Sequence, residues 1–171
     1  MTKKPFDPPP PRECKEASVT AFRAFIWIHS WAVYRASMLD PDGVDADYPP
    51  DLGDAELGAA ARKALLASRF IPPDHPNWDR VGAYSTREKD RELLERFKAR
   101  AGVKTEAALY KGAADVSLTL QDGVISVETL RYEGRGGFGG IKGVEPTELP
   151  ETISDAELGA AIRAAIEVSR A

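Results

Sequence analysis

The sequence has one cysteine, two histidines and no long apolar run, and each shortage excludes a class of protein. The single Cys14 cannot form an internal disulfide, which is typical of chains kept in a reducing compartment. The most apolar stretch, residues 22–34, is interrupted by Arg23, His29 and Ser30, so no membrane span is predicted. Prolines replace the apolar region that a secretory signal would need near the amino terminus. We therefore expect a cytoplasmic protein.

Basic residues are outnumbered as well, with 23 Lys and Arg against 27 Asp and Glu and a net charge of −4. A primary nucleic-acid-binding protein needs clustered cations in excess, so this class is disfavoured and a basic partner is the more natural one. Catalytic groups are also few, because His29 lies in an apolar segment where a buried, hydrogen-bonded histidine is expected. No nucleophile motif and no set of metal ligands at suitable spacing occurs. We expect no enzyme activity, no cofactor and no metal.

The length of 171 residues and a hydrophobic content of 43% fit one ordinary domain. Residues 1–16 are rich in proline and charge, which predicts a disordered tail. Residues 17–171 are predicted to form a single α/β domain.

A repeated helix sequence is the most informative feature of the chain. The stretch Asp54–Arg69 recurs 101 residues later as Asp155–Arg170, with 11 of 16 positions identical. In both copies apolar residues lie on one helical face, which predicts packing on a sheet, and Gly58 and Gly159 leave room for close approach. The apolar positions are Leu57, Ala61, Ala64 and Leu65 in the first copy and Leu158, Ile162, Ala165 and Ile166 in the second.

Strand and turn signals precede both helices. Aromatic and β-branched residues predict strands at 20–28 and 32–39, and Asp122-Gly123 between alternating segments predicts a hairpin. The fold class is therefore α/β of the α+β type, a largely antiparallel sheet with helices packed on it, in two related strand-strand-helix halves. Before the first repeated helix we expect a turn at 40–43 and an irregular chain to residue 53. After it we expect a loop at 70–84, a helix capped near Ser85–Glu88 and ended by Gly102, and a short helix at 105–111.

Acidic residues cluster ahead of both repeated helices. No Lys or Arg occurs between Arg35 and Arg62, whereas residues 40–56 hold seven acids. One interpretation is a patch that attracts a basic partner. The other is turn chemistry with acids placed favourably near a helix amino terminus. As a patch, the candidate binding residues are Asp42, Asp45, Asp47 and Asp51 in the first half and Glu145 and Glu148 in the second.

The glycine-rich loop 134–143 has the spacing GxGxxG from Gly134 to Gly139. Such turns approach phosphates when they open a helix, but here an extended segment follows, so a mobile contact loop with an exposed Phe138 is favoured over a nucleotide site. A second open choice concerns Trp27, Trp31 and Tyr34. Their strand-like segment favours core positions over an interface hot spot.

In the order and residue identity of its sequence motifs the chain resembles the immunity proteins of contact-dependent growth inhibition (CDI) systems, the CdiI family. The features that carry this resemblance are scaffold features between residues 20 and 170. They are Tyr34-Arg35, Asp40-Pro41-Asp42-Gly43, Leu57-Gly58, Ser68-Arg69, Lys104-Thr105, Ala108-Leu109-Tyr110-Lys111, Asp122-Gly123-Val124-Ile125 and Glu157-Leu158-Gly159-Ala160-Ala161.

The resemblance implies a cytoplasmic antitoxin that binds one cognate toxin domain at the carboxyl end of a CdiA effector. Several such toxins are nucleases that attack tRNA, and a nuclease holds phosphate in a positive cleft. The implied mechanism is occlusion of that cleft by acidic residues, with Phe138 as a further contact. Two readings of other classes compete with this one. They are a small nucleotide- or phosphate-binding enzyme that uses loop 134–143, and a self-associating scaffold.

Overall fold

The computed structural model describes residues 7–171 and contains one curled, nine-stranded sheet with helices on both faces. The elements in chain order are β1 (Lys15–Ala21), β2 (Ile26–Val33), β3 (Ser37–Leu39), β4 (Asp45–Tyr48), α1 (Asp54–Ala67), β5 (Arg69–Phe70), α2 (Trp78–Tyr84), α3 (Arg87–Ala101), α4 (Glu106–Tyr110), β6 (Ala114–Gln121), β7 (Val124–Gly134), β8 (Gly137–Gly140), β9 (Thr147–Pro150) and α5 (Asp155–Arg170). The predicted class, a largely antiparallel sheet with packed helices, is confirmed; the short parallel pair β2–β5 is the exception.

The two halves have the same order of elements, four strands followed by a long helix. In the first half β1 pairs with β2, and β2 pairs in turn with β3 and β4; in the second half β6, β7, β8 and β9 repeat this scheme. The halves join where β1 and β6 pair antiparallel, with Ala17 opposite Leu118, which are 101 residues apart. This is the same offset as between the helix copies, so an approximate two-fold axis passes near this pair. The predicted related halves are real, and each is larger than a strand-strand-helix unit.

The repeated helices pack on one face of the sheet and on each other. All eight predicted apolar positions are buried in the main core, together with inward residues of the central strands such as Val19, Ile28 and Val116. Gly58 and Gly159 lie at the helix crossing. A Cβ atom on Gly58 would lie 1.7 Å from the carbonyl oxygen of Asp155, so the backbone of α5 occupies the space beside Gly58, as the sequence predicts.

Reciprocal arginines strengthen this crossing. Arg62 of α1 pairs with Asp155 at 2.6 Å, and Arg163 of α5 pairs with Asp54 at 2.6 Å. Each arginine also donates to the backbone that precedes the other helix, Arg62 to the carbonyl oxygens of Glu151 and Ile153 and Arg163 to that of Leu52. The capping box predicted for α5, Ser154 with Glu157, is present, whereas Gly53 caps α1 without a side-chain bond.

Several predicted boundaries are wrong because distant pairing overrides local signals. The strands predicted at 20–28 and 32–39 are observed as β1, β2 and β3, since the stretch 22–25 forms the turn of a hairpin. The first repeat copy leaves the helix at Ala67, because Arg69–Phe70 pairs in parallel with β2. Residues predicted as irregular form β4, and part of the predicted loop 70–84 forms α2.

The amino-terminal prediction is wrong at its inner edge. Lys15 and Glu16 belong to β1, and Cys14 and Glu16 are buried, so this part of the chain lies in the folded domain. Residues 7–13 are exposed and contain no helix or strand, and residues 1–6 lie outside the described part of the chain.

Local signals with a strict conformational requirement are confirmed. Gly102 ends α3 at φ 69°, a left-handed conformation that favours glycine. The helix is capped by the side chain of Thr86, however, and not by Ser85. The hairpin turn has φ 50° at Asp122 and 76° at Gly123, as a two-residue type I′ turn requires, and Thr105 caps the short helix α4.

Candidate functional site

The turn at residues 40–43 holds two carboxylates that arginines from later segments bind. The side chain of Asp40 is fully buried and accepts hydrogen bonds from Arg69 at 2.8 and 2.6 Å. Arg80 of α2 donates to both oxygens of Asp42 at 3.0 and 2.7 Å, and these bonds hold the pKa of Asp42 below its ordinary value. The paired arginines neutralise much of the negative charge that the sequence of this turn indicates.

The carboxylates of β4 are bound in the same way. Arg96 of α3 donates to both oxygens of Asp45 at 2.8 and 2.7 Å, and the indole N–H of Trp27 donates to one of them at 2.7 Å. These bonds, those of Arg96 first, lower the pKa of Asp45. Asp47 lies 3.8 Å from Arg96, and its pKa is raised, chiefly by burial. Sequence reasoning missed these arginines because they lie 27 to 51 residues beyond their partners.

The other acidic candidates are exposed at the surface. Among the described residues, Asp51, Glu145 and Glu148 form neither an ion pair nor a side-chain hydrogen bond. Asp51 lies three residues before α1, whose first turn packs against the first turn of α5. The acidic strands that precede the two helices lie on opposite sides of the central β1–β6 pair, because β4 pairs with β2 and β9 pairs with β7.

The predicted glycine-rich loop is a strand hairpin. Arg135 at φ 52° and Gly136 at φ 72° form a tight turn between β7 and β8, and Phe138 lies in β8. Phe138 is half-buried against Tyr132, with ring centroids 5.3 Å apart, so the prediction of an exposed loop residue is wrong. No helix begins at this segment, and the backbone amide of Gly136 in the turn donates to the hydroxyl oxygen of Tyr132 at 3.1 Å.

An open groove lies between α3, α4 and the sheet face that turns away from α1 and α5. Its volume is about 570 Å³. Its walls combine aromatic side chains with charges of both signs, which is the usual composition of a binding groove. The lining includes Trp27, Trp31, Leu93, Tyr110, Arg91, Arg135 and Glu106.

The core interpretation of the three aromatic candidates is confirmed for Trp27, which is 9% exposed. Trp31 is half-buried, donates to Ser18 at 2.8 Å and lines the groove. Tyr34 is also half-buried and packs edge-on against Trp78 at 5.6 Å. The hot-spot alternative thus retains one accessible aromatic residue in the groove.

His29 is buried as predicted, but the predicted hydrogen bonds are missing. Its ring stacks on Trp27 with centroids 3.8 Å apart, and neither ring nitrogen has a hydrogen-bond partner. Burial lowers its pKa to about 3, so the imidazole is neutral at physiological pH.

Residues 7–171 contain no group of three or more His, Cys, Asp or Glu side chains arranged to hold a metal ion. None of their helices combines the length and hydrophobicity that crossing a membrane requires.

The sequence of this chain matches a known protein family. The family model described as "CDI immunity protein" matches residues 15–169. The immunity protein CdiI-YPIII of Yersinia pseudotuberculosis serotype O:3 is 30% identical, with 88% of this chain and 92% of that protein covered.

Solved structures agree with the sequence matches. A chain from the CdiA-CT/CdiI toxin and immunity complex of Yersinia pseudotuberculosis superposes with a TM-score of 0.80 at 29% identity, covering 94% of this chain and 98% of that one. A protein of unknown function from Neisseria meningitidis has the same fold, with a TM-score of 0.82 at 21% identity over 96% of this chain and 99% of that one. The chain therefore belongs to the CdiI family of CDI immunity proteins.

Proposed function

We propose that this protein neutralises the cognate C-terminal toxin domain of a CdiA effector by binding it directly. The observation that carries the proposal is the agreement over nearly the whole chain with a structure from a toxin and immunity complex. We propose further that the protein acts in the cytoplasm and without enzymatic activity. Binding alone suffices for inhibition when the bound surface of the toxin includes its catalytic cleft.

The proposed toxin is a nuclease that attacks tRNA, and the proposed mechanism is occlusion of its phosphate-binding cleft. A cleft that holds phosphate is positive, and an inhibitor with a net charge of −4 complements it. The exposed acids in the segments before α1 and α5, Asp51, Glu145 and Glu148, support this proposal.

The acidic candidates have different roles within this proposal. Asp51, Glu145 and Glu148 are exposed and have no arginine partner in the described chain, so they are the ones available to a basic toxin. Proposed contacts also include Asp42, Asp45 and Asp47. A toxin cation that binds these carboxylates would have to share them with Arg80 or Arg96, or displace these arginines. The half-buried Phe138 remains a proposed contact through its exposed edge.

The aromatic groove is a second candidate surface for the same function. Aromatic side chains in a concave site are frequent anchors of protein interfaces, and Trp31 and Tyr110 are half-buried there. Loss of binding on truncation of Trp31, with no effect of acidic substitutions, would place the toxin in the groove.

Association kinetics with the purified cognate toxin domain test the acidic surface. Reversal of Asp51 and Glu148 to Lys is expected to slow association at least tenfold at low ionic strength and to flatten its salt dependence, because steering acts on the on-rate. The matched control is Asp74→Lys, an exposed acid in the segment after α1, beyond the end of the helix opposite Asp51. Equal rates for all three variants and the wild type would exclude the acidic surface.

A further inference from the structure

His29 is an unusual residue for the interior of a folded protein. It is buried between Trp27 and Trp31, with ring centroids at 3.8 and 4.5 Å, and both imidazole nitrogens lack a hydrogen-bond partner. Buried polar atoms are nearly always paired, and an orphaned one raises the free energy of the state that contains it. A conformation in which His29 reaches a hydrogen-bond partner does not carry this free-energy cost.

A small void of about 10 Å³ adjoins the ring. Three side chains line both this void and the large groove, namely Trp27, Leu39 and Leu93. They form the wall between the two spaces. Leu93 belongs to α3, so an outward shift of this helix would connect the void with the groove.

The attachment of α3 is narrow. Only Leu93 and Phe97 of its 15 residues are buried, and the helix lies between the capping turn at Thr86 and the left-handed Gly102. Its charged contacts with the sheet are made by Arg96, which binds Asp45 at 2.8 and 2.7 Å and lies 3.8 Å from Asp47. An element with few buried side chains and defined turns at both ends is a candidate for local opening.

We propose that α3 is a hinged cover over His29, held closed by Leu93, Phe97 and the Arg96–Asp45 pair. Opening joins the void to the groove and exposes both imidazole nitrogens to water or to a polar group of a molecule in the groove. The groove of this protein thus has a closed form and an enlarged form with an additional hydrogen-bonding residue at its floor. The proposed opening of α3 follows from the packing around His29 and does not depend on the proposed function.

Protonation of His29 reports the opening. The closed state disfavours the imidazolium and lowers the His29 pKa to about 3, whereas an exposed imidazole has an ordinary value of 6.5. The closed state is therefore lost progressively as pH falls below 6.5, and acidification from pH 7 to pH 5 favours opening about 25-fold. The charged or titratable groups that face the ring are Asp45 of β4, Asp40 of the turn, Tyr84 of α2 and Arg96 of α3.

Hydrogen exchange of the full chain, resolved by residue and corrected for the intrinsic pH dependence of amide exchange, tests the cover. Protection of amides in the interior of α3 is expected to fall about 25-fold between pH 7 and pH 5, while α1 and α5 keep theirs. In His29→Gln, which cannot gain a proton, the corrected protection of α3 should be the same at both pH values. This comparison isolates His29 from the carboxylates around it.

A second variant keeps the test decisive if His29→Gln does not fold. Arg96→Gln weakens the closed state without altering the imidazole, so α3 should exchange faster at both pH values with the 25-fold ratio retained. Equal pH dependence in wild type and His29→Gln would overturn the proposal. Exchange of α3 only together with α1 and α5, as in global unfolding, would also overturn it.

Discussion

Gly58 of α1 faces the backbone carbonyl of Asp155 at a distance that leaves no space for a side chain. A Cβ atom there would lie 1.7 Å from the Asp155 oxygen, and a Cβ on Gly159 would lie 1.7 Å from the oxygen of Asp54. The two glycines are equivalent members of the repeat, so the crossing of the two long helices depends on both.

Substitution of either glycine by alanine is therefore expected to separate the helices. Gly58→Ala should lower the free energy of unfolding by about 2–4 kcal/mol, because the clash is with backbone and exceeds the gain in helix propensity. Gly82→Ala is the matched control, since Gly82 lies within α2 with nothing near its Cβ position, and it should be neutral or stabilising by up to about 1 kcal/mol. Urea unfolding measures both. Equal effects would contradict the observed crossing.

The reciprocal arginines should be equivalent in their effects. Arg62→Met leaves two backbone carbonyls and a carboxylate without their donor, and Arg163→Met leaves one carbonyl and a carboxylate, so each is expected to destabilise the protein by about 1–3 kcal/mol. Arg87→Met is a control at an exposed arginine of α3 without an ion pair in the described chain. Thermal unfolding of the three variants provides the comparison. An effect of one arginine without the other would show that the approximate symmetry does not extend to the energetics.

Asp115 should make stability dependent on pH. It is buried, its side chain accepts a hydrogen bond from Thr20 at 2.6 Å, and burial raises its pKa to about 7. Because the native state holds the proton more tightly than the unfolded chain, the stabilising contribution is full below pH 3.8 and is lost as pH rises through 7.

Asp115→Asn removes this titration. The variant is expected to gain about 1–3 kcal/mol relative to wild type at pH 8.5, and the difference should shrink towards pH 5. Urea unfolding at four pH values measures it. A constant difference would mean that Asp115 is ionised throughout.

Asp45 and Asp51 should differ in what they contribute to the stability of the protein. Asp45→Asn weakens bonds to Arg96 and Trp27 at a partly exposed site, so a loss of about 1 kcal/mol in unfolding free energy is expected, after allowance for solvent screening. Asp51→Asn touches no partner in the described chain and should stay within about 0.5 kcal/mol of wild type. The reverse order would mean that the Asp45 contacts carry little free energy.

The long helices and the turns were predictable because their signals are local. Leu57 and Leu158 mark a helical face by their spacing, and Asp122 and Gly123 fix a hairpin by the φ values that they tolerate. The strand β5 was not predictable, since Arg69 copies a helical residue of the other half and leaves the helix only because β2 is there to pair with it.

The candidate site shows the same limit for charge. Residues 40–56 form an acidic cluster in the sequence, yet the fold delivers Arg69, Arg80 and Arg96 to three of its carboxylates. Spatial pairing over such separations leaves no periodic or compositional trace. The absence of a partner for His29 was likewise invisible, because an apolar segment predicts burial and says nothing about where the ring nitrogens point.

Co-expression with the cognate CdiA C-terminal toxin domain tests the central claim most directly. Cells that produce the toxin domain with this protein should grow at the rate of uninduced cells, and the two proteins should copurify as a complex, whereas Gly58→Ala at a temperature above its unfolding midpoint should give no protection. Growth arrest despite abundant, folded wild-type protein would contradict the proposal that this protein neutralises that toxin.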